Sequence, residues 1–212
     1  MRLIDYSHGR YDRFMIQLLT VCTGNICRSP FAERMLQAEL DSRHPGQFLV
    51  RSAGTESMVG DGMEAESADL LAEFGGSADG FVSRQLSPAM LAEMNVVIGL
   101  TTTHRDAAIR MSPRMLKRAF TLIEFARILR HLRTSDNAEI IRGATPELVQ
   151  QRWQGLGSVA SANRSATKPS AAGDDVVDPY RRSAKTHMQM VEEILPAVEE
   201  ILAFETWASQ AK

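Results

Sequence analysis

A cysteine and an arginine stand in one short, glycine-containing segment that joins an apolar run to a helical pattern. The segment reads VCTGNICRSP over residues 21–30 and contains Cys22 and Arg28. Backbone N–H groups of a tight loop, together with a helix N-terminus, form a cradle for an anion such as phosphate. The same surroundings lower the pKa of a thiol and favour the thiolate. The segment therefore predicts Cys22 as a nucleophile towards a bound phosphate group.

Three neighbouring residues suit the same chemistry. Gly24 carries no side chain at the point where the loop must bend and admit a ligand closely. The planar fork of Arg28 can hold two phosphate oxygens and match the charge of a transition state. The hydroxyl group of Ser29 can donate a hydrogen bond to the Cys22 thiolate, which would help that thiolate to leave later in a reaction.

Attack by a thiolate also needs an acid that protonates the leaving oxygen. Asp178, in the sequence Asp178-Pro179-Tyr180, is the candidate, because the proline stiffens the turn that carries the carboxyl group. The same carboxylate would then act as a base towards water. Asp174 and Asp175 remain alternative candidates for the acid. Asp178 could instead be a turn residue or a helix cap without a catalytic role.

Apolar runs of strand length alternate with helical patterns along the chain. Because these runs are apolar throughout, they are typical of a parallel sheet that is covered on both faces. We predict a single three-layer α/β domain with a central four-stranded parallel sheet, helices on both faces, and the phosphate-binding loop after the first strand. The predicted strands are 15–21, 47–53, 95–100 and 119–123, and the main predicted helices follow Ser29 and cover 64–74, 124–132 and the chain from about Ser183.

The domain is predicted to span residues 15–212, after a polar N-terminal extension over residues 1–14. Within 133–173 we predict an inserted flexible segment. Its first part suggests a short helix from Pro146 to Trp153, whereas residues 157–173 are small and polar and predict a mobile loop.

Composition excludes several classes of protein. The net charge is -2 and no half of the chain is strongly basic, so no nucleic-acid partner is expected. Two cysteines exclude a secreted disulfide framework, and the apolar runs are too short for membrane insertion. The start of the chain lacks the pattern of a signal peptide, so a cytoplasmic location is expected.

The five histidines lack ligand spacing, so no metal site is expected. His104 is predicted to lie on a helix surface.

Several motifs together closely resemble the signature of the low-molecular-weight protein tyrosine phosphatase family. They are VCTGNICRSP, Arg51-Ser-Ala-Gly-Thr55, Ser83-Arg-Gln-Leu86 and Asp178-Pro179-Tyr180, and they follow the family's order over residues 15–205 apart from the predicted insertion. The resemblance implies a protein tyrosine phosphatase that hydrolyses phosphotyrosine in proteins through a phosphocysteine intermediate. It further implies that no cofactor is needed and that phosphate and vanadate inhibit the enzyme.

Residue roles follow from the resemblance by position. It implies Cys22 as nucleophile, Arg28 as the residue that binds the transition state, and Asp178 as general acid and base. It implies that Tyr180 and Met58 line the substrate site, Met58 standing near the usual place of an aromatic residue. Asn25 and Ser52 match a hydrogen-bonded pair that supports the loop. The phosphate-binding residues implied are Thr23, Gly24, Asn25, Ile26, Cys27 and Ser29.

Cys27 has two possible roles. It matches a second cysteine that protects the nucleophile of some family members by a reversible disulfide, but it can equally be a packed small apolar residue. Arg181 and Arg182 follow the acid motif. We hypothesise that they attract acidic phosphopeptides, which equal turnover of acidic and neutral phosphopeptides at low salt would contradict.

Two other functions compete with this interpretation, and a third could accompany it. An arsenate reductase of the same fold would need further cysteines, and the chain has only Cys22 and Cys27. A non-catalytic phosphotyrosine-binding module would lack the nucleophile, the arginine or the acid. A docking role for residues 157–173 is compatible with catalysis.

Overall fold

Four parallel strands form the centre of the domain. The structure, a computed structural model, describes residues 15–169 and 173–210, so the predicted extension over 1–14 lies outside the described residues. The strands are β1 Ile16–Cys22, β2 Phe48–Gly54, β3 Val96–Gly99 and β4 Ala119–Thr121. They are arranged in the order β2-β1-β3-β4, and every pair is parallel. The predicted four-stranded parallel sheet is confirmed.

Helices cover both faces of this sheet. The helices are α1 Arg28–Arg43, α2 Ala65–Glu73, α3 Pro88–Glu93, α4 Thr102–Met111, α5 Leu122–Thr134, α6 Pro146–Ala162 and α7 Ala184–Ser209; 3₁₀ helices cover Pro113–Lys117 and Arg164–Ala166. Alternate residues of β1 point to opposite faces of the sheet. Leu18 therefore enters one buried apolar cluster with α1, α5 and α7, while Leu19 enters another with α3 and α4. Among the described residues, none of the helices has the length and apolarity needed to cross a bilayer.

The boundary between β4 and α5 differs from the prediction. Thr121 accepts a hydrogen bond from the backbone of Glu124, and the Glu124 carboxylate accepts one from the backbone of Thr121. This capping box starts the helix at Leu122. The predicted strand over 119–123 is therefore two residues too long at its C-terminal end.

Helix α6 overturns the predicted mobile loop for residues 157–162. The small residues of this stretch allow close packing against the 3₁₀ helix: a Cβ atom at Gly157 would lie 2.8 Å from the carbonyl oxygen of Lys117. Ala160, one turn further along, is fully buried. Small residues here mark a close approach of two segments. The predicted mobile loop over 157–173 is therefore wrong for residues 157–162, and the predicted helix from Pro146 continues past Trp153 to Ala162.

A buried charged cluster anchors α6 on the last helix. Arg152 donates two hydrogen bonds to the carboxylate of Glu205, one of them from Nε at 3.1 Å. The indole Nε1 of Trp153 donates to the same carboxylate at 2.8 Å, and His44 Nε2 lies 3.0 Å from it. Burial alone would raise the pKa of Glu205, but the bonds from His44 and Arg152 outweigh burial and hold the pKa below 4.5. Asp178 therefore lies on a segment between two helices, α6 and α7, that the Glu205 cluster holds together.

Candidate active site

The loop between β1 and α1 encloses the sulfur atom of Cys22. The side chain of Cys22 is 2 % exposed, and its Sγ accepts a hydrogen bond from the backbone N–H of Asn25 at 3.2 Å. Ser29 Oγ lies 3.0 Å from the same Sγ. Because Ser29 Oγ already accepts a hydrogen bond from Asn25 Nδ2 at 2.9 Å, its own hydrogen is free to point at the sulfur. Both contacts on Sγ therefore come from donors, which suits a thiolate.

Asn25 connects the loop to the rest of the domain. Its backbone lies in the left-handed region at φ 56°, which asparagine adopts more readily than most residues. Besides Ser29, its Nδ2 donates to Ser52 Oγ at 2.8 Å, and its Oδ1 accepts from the backbone N–H of Arg84 at 2.7 Å. Two segments distant in sequence, at Ser52 and at Arg84, thus hold one side chain of the loop.

A buried glutamate stands behind this network. Ser52 Oγ donates to the carboxylate of Glu33, which also accepts a hydrogen bond from Arg84 Nη2 at 3.3 Å. Burial raises the pKa of Glu33, and the contacts with Ser52 and Arg84 counteract part of that effect. Sequence reasoning missed Glu33. A signal was present, because Glu33, Leu36 and Leu40 share one helical stripe that is otherwise apolar.

Arg28 and Asp178 meet across the site. Arg28 Nη2 lies 2.8 Å from Asp178 Oδ2, with the Arg28 side chain 5 % exposed and that of Asp178 53 % exposed. The alternative acids have other partners: Asp175 accepts a hydrogen bond from the backbone of Thr102 at 2.7 Å, and Asp174 pairs with Arg127. Of the three carboxylates, Asp178 is the one that faces the loop.

These groups surround a cavity of about 200 Å³. The loop after β2 forms one wall, because the backbone N–H groups of Glu56 and Met58 donate to carbonyl oxygens of Thr23 and Gly24, each at 3.0 Å. Glu56 was not among the residues singled out in the sequence, and no motif marks it. The lining residues are Cys22, Thr23, Gly24, Ile26, Cys27, Arg28, Glu56, Met58, Asp178 and Tyr180. Asn25, Ser29 and Ser52 lie behind this lining as the hydrogen-bonded support.

His104 lies under the loop, so its predicted place on a helix surface is wrong. It is 4 % exposed, with Nε2 3.0 Å from Thr23 Oγ1 and Nδ1 2.9 Å from Thr101 Oγ1. Burial lowers the pKa of His104 to about 4, and the positive charge of Arg28 contributes to this shift. The histidine is therefore neutral at neutral pH. Thr101 caps the N-terminus of α4. His104 lies in the first turn of this helix, on the side that faces the loop.

Cys27 differs from Cys22 in its surroundings. Both cysteines are free thiols and both are buried. Burial raises the pKa of the Cys27 thiol to about 12, against a smaller opposite effect of the neighbouring Ser67. Cys27 is therefore a thiol at neutral pH.

The sequence of the chain is similar to those of known proteins. Residues 17–139, more than half of the chain, match the family model of the low molecular weight phosphotyrosine protein phosphatases. The low molecular weight protein-tyrosine-phosphatase Wzb of Escherichia coli strain K12 is 35% identical over 98 residues, which is 46% of this chain and 63% of that protein. The aligned region thus spans less than two thirds of this curated relative.

Solved structures share the fold over almost the whole chain. The tyrosine phosphatase AmsI of Erwinia amylovora superposes with a TM-score of 0.61 at 20% identity, covering 92% of this chain and 95% of the other. The YwlE arginine phosphatase of Geobacillus stearothermophilus superposes with a TM-score of 0.63 at 21% identity, covering 90% and 93%.

Proposed function

Because the chain belongs to the low molecular weight phosphotyrosine protein phosphatase family, we propose that it hydrolyses phosphotyrosine in proteins through a phosphocysteine intermediate. One observation carries the proposal: Cys22, Arg28 and Asp178 converge on a single cavity of about 200 Å³. Asp178 lies outside the residues matched by the family model, 17–139, so its assignment rests on this convergence and on its contact with Arg28.

In the first step the Cys22 thiolate attacks the phosphorus atom of bound phosphotyrosine. The bond between phosphorus and the tyrosine oxygen breaks, and that oxygen takes the proton of Asp178. In the second step a water molecule gives a proton to Asp178 and its oxygen attacks phosphorus. The sulfur–phosphorus bond breaks and releases phosphate, while the hydrogen bonds from Ser29 and Asn25 stabilise the departing thiolate. Neither step requires a metal or an organic cofactor.

Arg28 is proposed to bind the phosphoryl group. Its guanidinium group is buried and holds the exposed carboxylate of Asp178 at 2.8 Å. A phosphate group offers oxygens in the geometry that the arginine fork prefers, so it would compete with Asp178 for this fork. Substrate binding would then release Asp178 for proton transfer. Inorganic phosphate and vanadate would occupy the place of the substrate's phosphoryl group at Arg28 and would therefore inhibit the enzyme.

The walls of the cavity favour an aromatic leaving group. Ile26, Met58 and Tyr180 supply apolar surface to the cavity that Cys22 and Arg28 also line. An aryl ring can bury apolar area there, which an aliphatic phosphoester cannot do to the same extent. This supports phosphotyrosine as the class of substrate.

The test is hydrolysis of p-nitrophenyl phosphate at about pH 6 without added metal. We expect the activity to vanish in Cys22→Ser and to fall by about 10²–10⁴-fold in Asp178→Ala. Asp175→Asn is the matched control, because an asparagine at this position can still accept the bond from Thr102. Unchanged activity in Cys22→Ser would refute the mechanism. Equal losses in Asp178→Ala and Asp175→Asn would refute the assignment of the acid.

A further inference from the structure

A buried histidine stands directly beneath the loop that carries Asp178. His187, in the first turn of α7, is 1 % exposed, and its Nε2 lies 3.1 Å from the carbonyl oxygen of Pro179. A carbonyl oxygen can only accept a hydrogen bond, so Nε2 carries a hydrogen and donates it. The tautomer of a neutral His187 is thereby fixed, with the lone pair on Nδ1.

The Nδ1 atom of His187 has no hydrogen-bond partner among the described residues. The group that it faces is a carboxylate: Glu66 Oε2 lies 3.5 Å from Nδ1. A second carboxylate, that of Glu64, lies 3.8 Å from Nε2. A buried lone pair that faces an anion is unfavourable. This corner of the molecule therefore calls for a positive charge between Nδ1 and the carboxylate of Glu66.

We propose that Glu64, Glu66 and His187 form a binding site for a divalent transition-metal ion such as Zn²⁺. One potential ligand atom from each of the three residues lies within 4.8 Å of the others. Zn²⁺ binds imidazole nitrogen and carboxylate oxygen at about 2.0–2.2 Å, so neighbouring ligands of a tetrahedral ion are about 3.3 Å apart. The 3.5 Å between Nδ1 and Glu66 Oε2 is close to this value. The fourth position is open to water.

The second contact of His187 matches a metal ligand as well. A histidine that binds a metal through one ring nitrogen usually donates the hydrogen of the other nitrogen to a carboxylate or a backbone carbonyl. The bond from Nε2 to Pro179 has this arrangement. Mixed nitrogen and oxygen ligands favour zinc and its neighbours over magnesium or calcium, which prefer oxygen alone.

The site joins the segments that form the catalytic cavity. Glu64 and Glu66 lie at the start of α2, His187 lies in α7, and Pro179 is the neighbour of Asp178. In addition, the backbone N–H of Glu64 donates to the carbonyl oxygen of Ile26 in the phosphate-binding loop at 2.9 Å. A bound ion would therefore fix the acid loop relative to that loop. Binding of the ion itself does not depend on the proposed phosphatase activity.

The test is calorimetric titration of the full chain with Zn²⁺. Because the thiols of Cys22 and Cys27 also bind zinc, the titrations use the Cys22→Ser, Cys27→Ser double variant as the parent. We expect one site per chain, and affinity that falls about tenfold or more in Glu66→Gln and in His187→Gln. The amide of His187→Gln can still donate to Pro179, and Glu66 is partly exposed, so both variants are expected to fold. Glu73→Gln, exposed on the same helix as Glu66, is the matched control and should bind as the parent does.

A nitrogen NMR spectrum of His187 gives an independent readout. Zinc should shift the Nδ1 resonance and leave Nε2 protonated. The proposal is overturned if the parent binds no zinc, or if Glu66→Gln and His187→Gln bind as tightly as Glu73→Gln. It is also overturned if His187 carries a proton on both nitrogens and millimolar zinc does not displace it.

Discussion

Protonation of His104 should weaken the fold in a defined pH window. Its pKa falls from 6.5 in the unfolded chain to about 4 in the folded one, because burial and Arg28 disfavour the charged imidazole. Between these values the unfolded state binds more protons than the folded state. The stabilising contribution of neutral His104 is thus complete above pH 6.5 and is lost as the pH falls towards 4. At about 1.4 kcal/mol per pH unit, the whole window amounts to about 3 kcal/mol.

The assay is urea denaturation at a series of pH values from neutral down to about pH 4. Unfolding is monitored by the fluorescence of Trp153 and Trp207. The perturbation is His104→Gln, compared with His131→Gln, which makes the same chemical change at a half-buried site on α5. At neutral pH, His104→Gln loses hydrogen bonds to Thr23 and Thr101 and should be less stable than wild type by about 1–2 kcal/mol. As the pH falls, this gap should shrink by up to about 3 kcal/mol and can change sign. His131→Gln should follow wild type throughout.

Parallel stability curves for wild type and His104→Gln over the whole window would refute this reasoning. Such curves would mean that His104 is protonated as easily in the folded protein as in the unfolded chain. The contacts with Thr23 and Thr101 would then not protect a neutral ring.

Substitutions at two further positions, Asn25 and Glu33, test the support of the loop. Asn25→Ala removes bonds to Ser29, Ser52 and Arg84 and should lower the free energy of unfolding by about 3 kcal/mol. Asn25→Gly loses the same bonds, but glycine adopts φ 56° without strain, so this variant should be less destabilised than Asn25→Ala. One hydrogen bond is worth about 1 kcal/mol. If both variants unfold in urea within about 1 kcal/mol of wild type, the proposed network is contradicted. For Glu33 the pKa is raised above 4.5, so its contribution is complete below pH 4.5 and is lost as the pH rises. Glu33→Gln should therefore gain stability relative to wild type on going from acidic to neutral pH, and a pH-independent difference between the two urea midpoints would show that burial does not raise this pKa.

The sequence predicts what depends on local pattern. The apolar runs specify a parallel sheet, and the strand–loop–helix order places Cys22 and Arg28 on one loop, since both signals lie within a few residues. Asp178 is found through its Pro-Tyr context, but its contact with Arg28 joins two distant parts of the sequence and is visible only in the folded chain.

The missed residues depend on tertiary contacts. The sequence around His104 predicts an exposed position on a helix. In the folded chain the packing of α4 against β1 places the histidine beneath Thr23. His187 lacks ligand spacing along the chain, yet folding places it beside Glu64 and Glu66. Gly157 and its small neighbours suggest a loop, whereas their small size serves the packing of α6. In each case the partner is distant in sequence, so a local pattern cannot reveal it.

The attachment of α6 limits where the chain can be trimmed or labelled. Removing this helix would take away both α6 donors to Glu205 and uncover Phe48, whose ring meets Trp153 edge-on at 5.3 Å. A shortened version would then need new polar side chains on β2 and α7 to stay soluble. The turn over residues 135–139, which is largely exposed, is the better place for an inserted tag or fluorophore. Segments added there would leave the Glu205 cluster intact. They would also leave intact the attachment of the Asp178 loop to α6 and α7.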